Sequence, residues 1–401
     1  MSKRPRRGRS SGSLEQANKQ PRTDDSIVVL SPAGTRDPQY YYEDGSVVLL
    51  VDDTLFKVQA SLLKAQSETF RDMFTSLSGD VDAKVEGLSD ECPIKISNVT
   101  VPEFRNLLMI FYAPPSDRLF LGMQGTKNAA RAWKAFIALS DVVRLADRFG
   151  MEDIETWAAG QLKSLVKSSA TLVVTGARKE TGDGIPTALV LALQYAIAIE
   201  DTPLVHNLRS LVQYYCAVPT KLSAPVLEEF FRHPELYEKD FSLFGFLFIT
   251  LLNLGHDGWD QECFTREDRI AFFSAQSYLT PLPRSLAKNL SMPLTTKPPY
   301  VPGGDLEVFG EDNCSQNCRR RLSLAWKAAF DSSYYRGVTS SEAMKPTIEL
   351  EHLPCLRFKF ADAVCTLGAC KKNCGNTALR LLDEDISKLF VRLAGYYRDI
   401  N

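Results

Sequence analysis

Little in these 401 residues points to a membrane or to export. The longest apolar stretch, Phe241 to Leu254, is broken by Ser242, Gly245, Thr250 and Asn253. It covers about fourteen residues where a spanning helix needs about twenty, so it reads as a buried core helix. No apolar core follows the basic residues at the start, which excludes a secretory signal there. The cysteines number nine, an odd count, and without an export signal they point to reduced thiols in the cytosol or nucleus. Histidine is scarce. His206, His233, His256 and His352 lie far apart, none with an acid or nucleophile at motif spacing. The chain also lacks His-Glu-x-x-His, Gly-x-Ser-x-Gly, Gly-x-Gly-x-x-Gly, Cys-x-x-Cys and any phosphate-binding Gly-Lys-Ser/Thr. These absences favour a non-enzymatic protein. No internal repeat is visible, which argues against a propeller or a solenoid.

Net charge is also small, a formal -2, but it is unevenly placed. Residues 1 to 22 carry seven cations against Glu15, a net +6, which leaves -8 on the rest. The tail to about residue 25 is Ser/Gly-rich, cannot bury enough surface to fold, and is expected to be disordered. Lys3, Arg4, Arg6, Arg7 and Arg9 fit a nuclear-import patch, so nucleus, cytoplasm or both are the expected locations. A mildly acidic body argues against direct nucleic-acid readout, and the Cys/His spacing offers no zinc-finger array.

The most informative stretch is Asp44 to Phe74. Val47 to Val51 is an unbroken apolar run, as in a strand buried on both faces. Asp52-Asp53 suits a hairpin turn, and Phe56 and Val58 alternate with Lys57 in a returning strand. The period then becomes helical at Leu63, Phe70 and Met73/Phe74, with Ser67 as a cap. Ile94 to Ile96 is a third strand. Thr100-x-x-Glu103 is a capping box ahead of Phe104, Leu107, Leu108 and Phe111. Two more helices follow, one ending at Gly150 and one starting at Glu152-Asp153.

The pattern Asp44-Gly45-x-Val47, Leu55-Phe56-x-Val58, Leu62-Leu63 and Ser67-x-x-Phe70-x-x-Met73-Phe74 resembles the opening of a BTB/POZ domain, in particular those of fungal proteins with a divergent C-terminal half. The resemblance covers residues 40 to 166. It implies an α+β domain, a short sheet plus helices, that binds other proteins. Phe56, Leu62, Leu63, Phe70, Met73, Phe74, Phe104 and Leu108 are the partner-binding candidates it suggests. Three roles follow: a scaffold, a substrate adaptor of a cullin-RING ubiquitin ligase, or a nuclear transcription regulator recruited through protein partners. Cullin-binding relatives often carry a hydrophobic-x-Glu element after the third-strand helix, whereas Phe111 to Ala130 holds no Glu. Repressor-type relatives pair a buried Asp with an Arg. The matching positions here are Ser46 and Ala60, with Gln59 in place of the customary His. Strong dimers of the family use an apolar helix before the first strand. Pro32 and Gly34 disfavour one here, so a monomer is expected, with a weak dimer through Ile27 to Leu30 as the fallback.

Beyond the resemblance, Ser168 to Gly184 reads as a polar joint, and 185–280 as a helical domain. Its helices are expected at 186–199, 204–217, 224–231, 241–254 and 265–279. Residues 281–304 are proline-rich, a linker or a loop crossing the surface. The tail, 305–401, is a Cys-containing helical region with helices near 319–330 and 377–397. No cofactor is expected. The alternative is a structural zinc held by Cys314, Cys318, Cys370 and Cys374, whose three-residue gaps fall within known ligand spacing. Elemental analysis of purified protein decides it: a zinc-stapled tail carries about one equivalent per chain, and under a tenth excludes the metal.

Overall fold

The computed structural model describes residues 34–75, 86–113, 127–180, 184–217, 222–232, 240–309, 315–366 and 373–397. Four strands form one sheet: β1 (Thr35–Tyr41), β2 (Val47–Val51), β3 (Thr54–Val58) and β4 (Ile94–Ile96), in the order β1-β3-β2-β4. The hairpin β2–β3 is antiparallel, with Val51 opposite Thr54, so Asp52 and Asp53 are the two turn residues. Asp52 takes a left-handed φ of 50°, which Asp tolerates better than most side chains. All five residues of β2 are buried. Val47, Leu49 and Val51 face the main core, while Val48, Leu50 and Leu55 form a small second cluster with Tyr41.

Helices α1 (Ala60–Gln66), α2 (Glu68–Thr75) and α3 (Val101–Tyr112) follow the period change expected from the sequence. The Phe70 amide donates to Ser67 Oγ at 3.0 Å, the expected cap, and the same hydroxyl donates to the Phe149 carbonyl. The Thr100 amide donates to the Glu103 carboxylate at 2.7 Å, the expected capping box. Helices α4 (Ala129–Arg148) and α5 (Glu152–Ala177) are an antiparallel pair joined through Gly150, whose φ of 62° needs no Cβ penalty in glycine.

The polar joint expected at 168–184 is helical from 168 to 177. Helix α5 runs on to Ala177, with one kinked residue, Ser169. Ala170, Val173, Val174 and Ala177 are buried and continue its apolar face past the serines. Gly176 belongs to this packing, because a Cβ on it would lie 2.2 Å from the Ala129 carbonyl oxygen. Its glycine serves close helix contact where the sequence suggested a turn.

Helices α6 (Gly184–Ala198), α7 (Thr202–Ala217), α8 (Ala224–Phe231), α9 (Phe241–Leu252), α10 (His256–Trp259) and α11 (Arg266–Tyr278) then follow. All five expected helices begin and end within about two residues of the observed ones, and α8 matches at both ends. Helix α9 is buried from Ser242 to Leu252 on every side, so it is a core helix. Residues 281–304 bury Leu286, Met292 and Leu294. The Met292 amide donates to Asp385 at 2.6 Å, and the Pro293 carbonyl accepts from Tyr335 at 3.0 Å. The segment is therefore a strap laid on the helices.

The remaining helices are α12 (Gln316–Ala329), α13 (Ser332–Val338), α14 (Lys345–Glu351), α15 (Leu353–Thr366) and α16 (Cys374–Ala394). The last of these packs along α9. One continuous apolar cluster reaches from Tyr40 in β1 to Ala394 in α16. The contact between α9 and α16 is closest at Gly245, where an added Cβ would lie 1.9 Å from the Phe390 carbonyl oxygen. Gly245→Ala should force the two helices apart and cost about 1–3 kcal/mol, as overpacking does. Calorimetry showing an unchanged melting temperature for that variant would contradict the close packing.

Candidate protein-interaction surface

The sheet edge comes first, because an unpaired edge strand is a ready template for other chains. Strand β1 is one edge and β4 the other, and Pro38 in β1 fits only where no ladder hydrogen bond is required. Side chains fix β1 to its own chain. Asp37, fully buried in its side chain, accepts from Arg105 Nε at 2.7 Å and from the Gln39 and Tyr40 amides. Asp90 accepts from Arg36 at 2.7 Å and from the Tyr41 hydroxyl, and the Arg36 guanidinium lies 4.6 Å from the Tyr41 ring centre. Burial pushes the Asp90 carboxyl up, but those hydrogen bonds outweigh it and hold the group below its usual range.

At the far end of the hairpin the structure brings together the three positions that the resemblance singled out. Ser46 Oγ accepts the Ala60 amide at 3.0 Å. The Tyr112 hydroxyl donates to Gln59 Oε1 at 2.6 Å and accepts the Gln59 amide at 3.0 Å. Tyr42 stacks on Tyr112 with ring centres 4.9 Å apart. A neutral hydrogen-bonded set therefore occupies the place of an ion pair. Removing one partner of a buried ion pair costs about 3–5 kcal/mol; changing both to neutral groups avoids that. Burial raises the Tyr112 phenol above its usual range.

Of the eight partner-binding candidates, Phe56, Leu63, Phe70, Phe74, Phe104 and Leu108 are interior residues. Phe56 and Phe104 meet edge to face at 5.0 Å, and Phe70 packs on Phe149. They shape the domain and present nothing to a partner, a correction that follows from burial on both faces of the hairpin and helices. Leu62, 37% exposed, and the half-buried Met73 remain at the surface. The import patch Lys3 to Arg9, the strand candidate Ile27 to Leu30 and most of the Phe111 to Ala130 stretch lie outside the described residues. So do Cys314 and Cys370, while Cys318 and Cys374 pack half-buried against the core.

Elsewhere, His206 faces Asp383 at 3.2 Å beside Arg357, and His256 packs tilted against Trp259 and Phe273. Among the described residues no group of three or more His, Cys, Asp or Glu could hold a metal ion. No helix among them is long and apolar enough to cross a membrane. Burial pushes the Cys355 thiol up to about 11, so at neutral pH it is not a thiolate nucleophile.

Comparison with known proteins agrees with this geometry: residues 43–163 match the model of the BTB/POZ domain family. No curated protein and no solved structure matches the chain.

Within this domain Asp141 on α4 is the carboxylate under most strain. Its Oδ2 accepts from Asn106 Nδ2 at 2.8 Å, but Arg144 sits nearer Glu103, at 2.9 Å, than Asp141, at 3.9 Å. Burial, with Glu103 adding to it, pushes the Asp141 carboxyl up to about 6. A raised folded-state pKa means that the fold binds this proton more tightly than the unfolded chain does. Asp141 therefore adds stability as pH falls from about 6 towards 4, and above 6 its charge is a standing cost. Asp141→Asn should stabilise the fold at pH 7.5 by an amount on the order of 1–3 kcal/mol, read as a higher melting temperature. The gain should shrink at pH 5, and a gain equal at both pH values would rule the charge out as its cause.

Proposed function

We propose, from the premise that this chain carries a BTB/POZ domain over residues 43–163, that it is a non-enzymatic scaffold binding protein partners through that domain. The family match carries the reading, since BTB/POZ domains are protein–protein interaction modules. The neutral Ser46, Ala60 and Gln59 set favours a scaffold over a repressor that needs the Asp/Arg pair. The lack of Glu from Phe111 to Ala130 favours it over a cullin adaptor. Entry to the nucleus through Lys3 to Arg9 is part of the same proposal.

A mainly monomeric state is also proposed. The parallel pairing of β1 with β3 in its own chain supports it, because one side of the strand is taken up without a second copy. Proximity labelling and pull-down with the full chain should return partners that are lost with Leu62→Glu, a change at an exposed position of α1. Stoichiometric capture of a cullin would turn the reading to a ligase adaptor. Light scattering behind a sizing column should give a mass near 44.8 kDa at micromolar concentration. A doubled mass that persists below a micromolar would sink the monomer.

A further inference from the structure

Far from the BTB/POZ domain in sequence, the strap and helices α12 and α13 enclose a groove of about 460 Å³. That volume is in the range of sites that hold a small ligand or a short peptide anchor. Its floor is Phe330 and Tyr335, both buried. The floor is rigid: Phe330 stacks on Trp326 at 4.1 Å, and Tyr335 Oη accepts from Trp326 Nε1 at 2.9 Å while donating to the Pro293 carbonyl. Tyr300 forms one wall. Around the rim stand three exposed cations, Lys297, Lys327 and Arg336.

Among the described residues neither Lys297 nor Arg336 has a carboxylate within ion-pair distance, and Lys327 is held by the Gly304 carbonyl at 3.1 Å and the Tyr300 ring at 4.2 Å. Among the described lining residues Asp331 is the one acid, and its Oδ1 accepts the Ser333 and Tyr334 amides that open α13, so three cations outweigh one carboxylate. An aromatic slot rimmed by unpaired cations attracts an anion that also carries an apolar group.

We propose that this groove is a second protein-binding site, which takes an acidic peptide segment with an aromatic or aliphatic residue seated between Tyr300 and Tyr335. Peptide is favoured over a nucleotide because the cations are spread along the open rim, where successive carboxylates can meet them. The site stands apart from the role proposed for the N-terminal domain.

Fluorescence anisotropy of the full chain with a labelled peptide, Glu-Glu-Asp-Phe-Glu-Glu, tests it. The peptide should bind, more weakly as salt rises. Arg336→Glu and Lys297→Glu should each weaken binding about tenfold or more at an unchanged melting temperature. Replacing the peptide's Phe by Gly should weaken it too. Leu62→Glu should leave it unchanged, which separates this site from the BTB/POZ surface. No binding, equal binding of Lys-Lys-Arg-Phe-Lys-Lys, indifference to both charge reversals, or a groove that takes AMP in place of the peptide would overturn the proposal.

Discussion

Helix α5 is the constraint on which both halves of the molecule depend. Its first turns bury Ile154, Ala158 and Leu162 against the BTB/POZ helices. Its last turns bury Val173, Val174 and Ala177 and reach α7. The two duties fall on one hydrogen-bonded rod, which has few soft dihedrals to absorb a change of angle. Polar contacts fasten the same rod to its neighbours: Lys163 to Asp201 at 2.9 Å and Tyr195 to Glu155 at 2.7 Å. Just past its end, the Arg178 guanidinium lies over Tyr215 and donates to that residue's carbonyl. The sheet and hairpin of the BTB/POZ domain are thus built onto a scaffold that the helical half completes.

Buried aspartates do a related job at the helix starts. Asp240 caps α9 through the Leu243 amide and pairs with Arg209 at 2.6 Å. Asp268 joins the cap of α11 to Arg232 at the end of α8 and to Tyr397 beyond α16. Burial pushes the Asp268 carboxyl up, yet its hydrogen bonds from Tyr397, Arg232 and Thr265 hold it below the usual range. A buried carboxylate is tolerable where each lone pair is met in this way. Asp141, with its Arg turned towards Glu103, is the case where that compensation falls short.

The two proposed binding surfaces differ in which groups are left exposed. Around β1 the polar side chains are spent internally, on Asp37–Arg105, Asp90–Arg36 and Gln59–Tyr112, while α1 and α2 present Leu62 and Met73 among polar residues such as Gln66, Glu68 and Arg71. Around the strap the aromatic groups are spent internally and the charges are left outward.

Local chemistry determined a large part of this structure from sequence. The apolar run Val47 to Val51, the Asp52-Asp53 turn, the Ser67 cap and the Thr100/Glu103 box each act within a few residues, so each is legible without the fold. The long helices of the C-terminal half follow from periodicity for the same reason. What the pattern could not decide was which side of each apolar residue faces solvent. Phe56 and Leu62 look alike in sequence; packing buries the first completely and leaves the second at the surface. Strand β1 went unread because Pro38 and Gly34 argue against regular structure, and only pairing to β3 makes a strand of it. The glycines at 176 and 245 read as breaks, yet they mark the tightest helix contacts, since a missing Cβ has meaning only when the neighbouring backbone is known. Residue type and spacing settle local conformation within a turn or two. The neighbours that complete a strand, fill a groove or crowd a glycine come from distant chain, and tertiary packing alone brings them there.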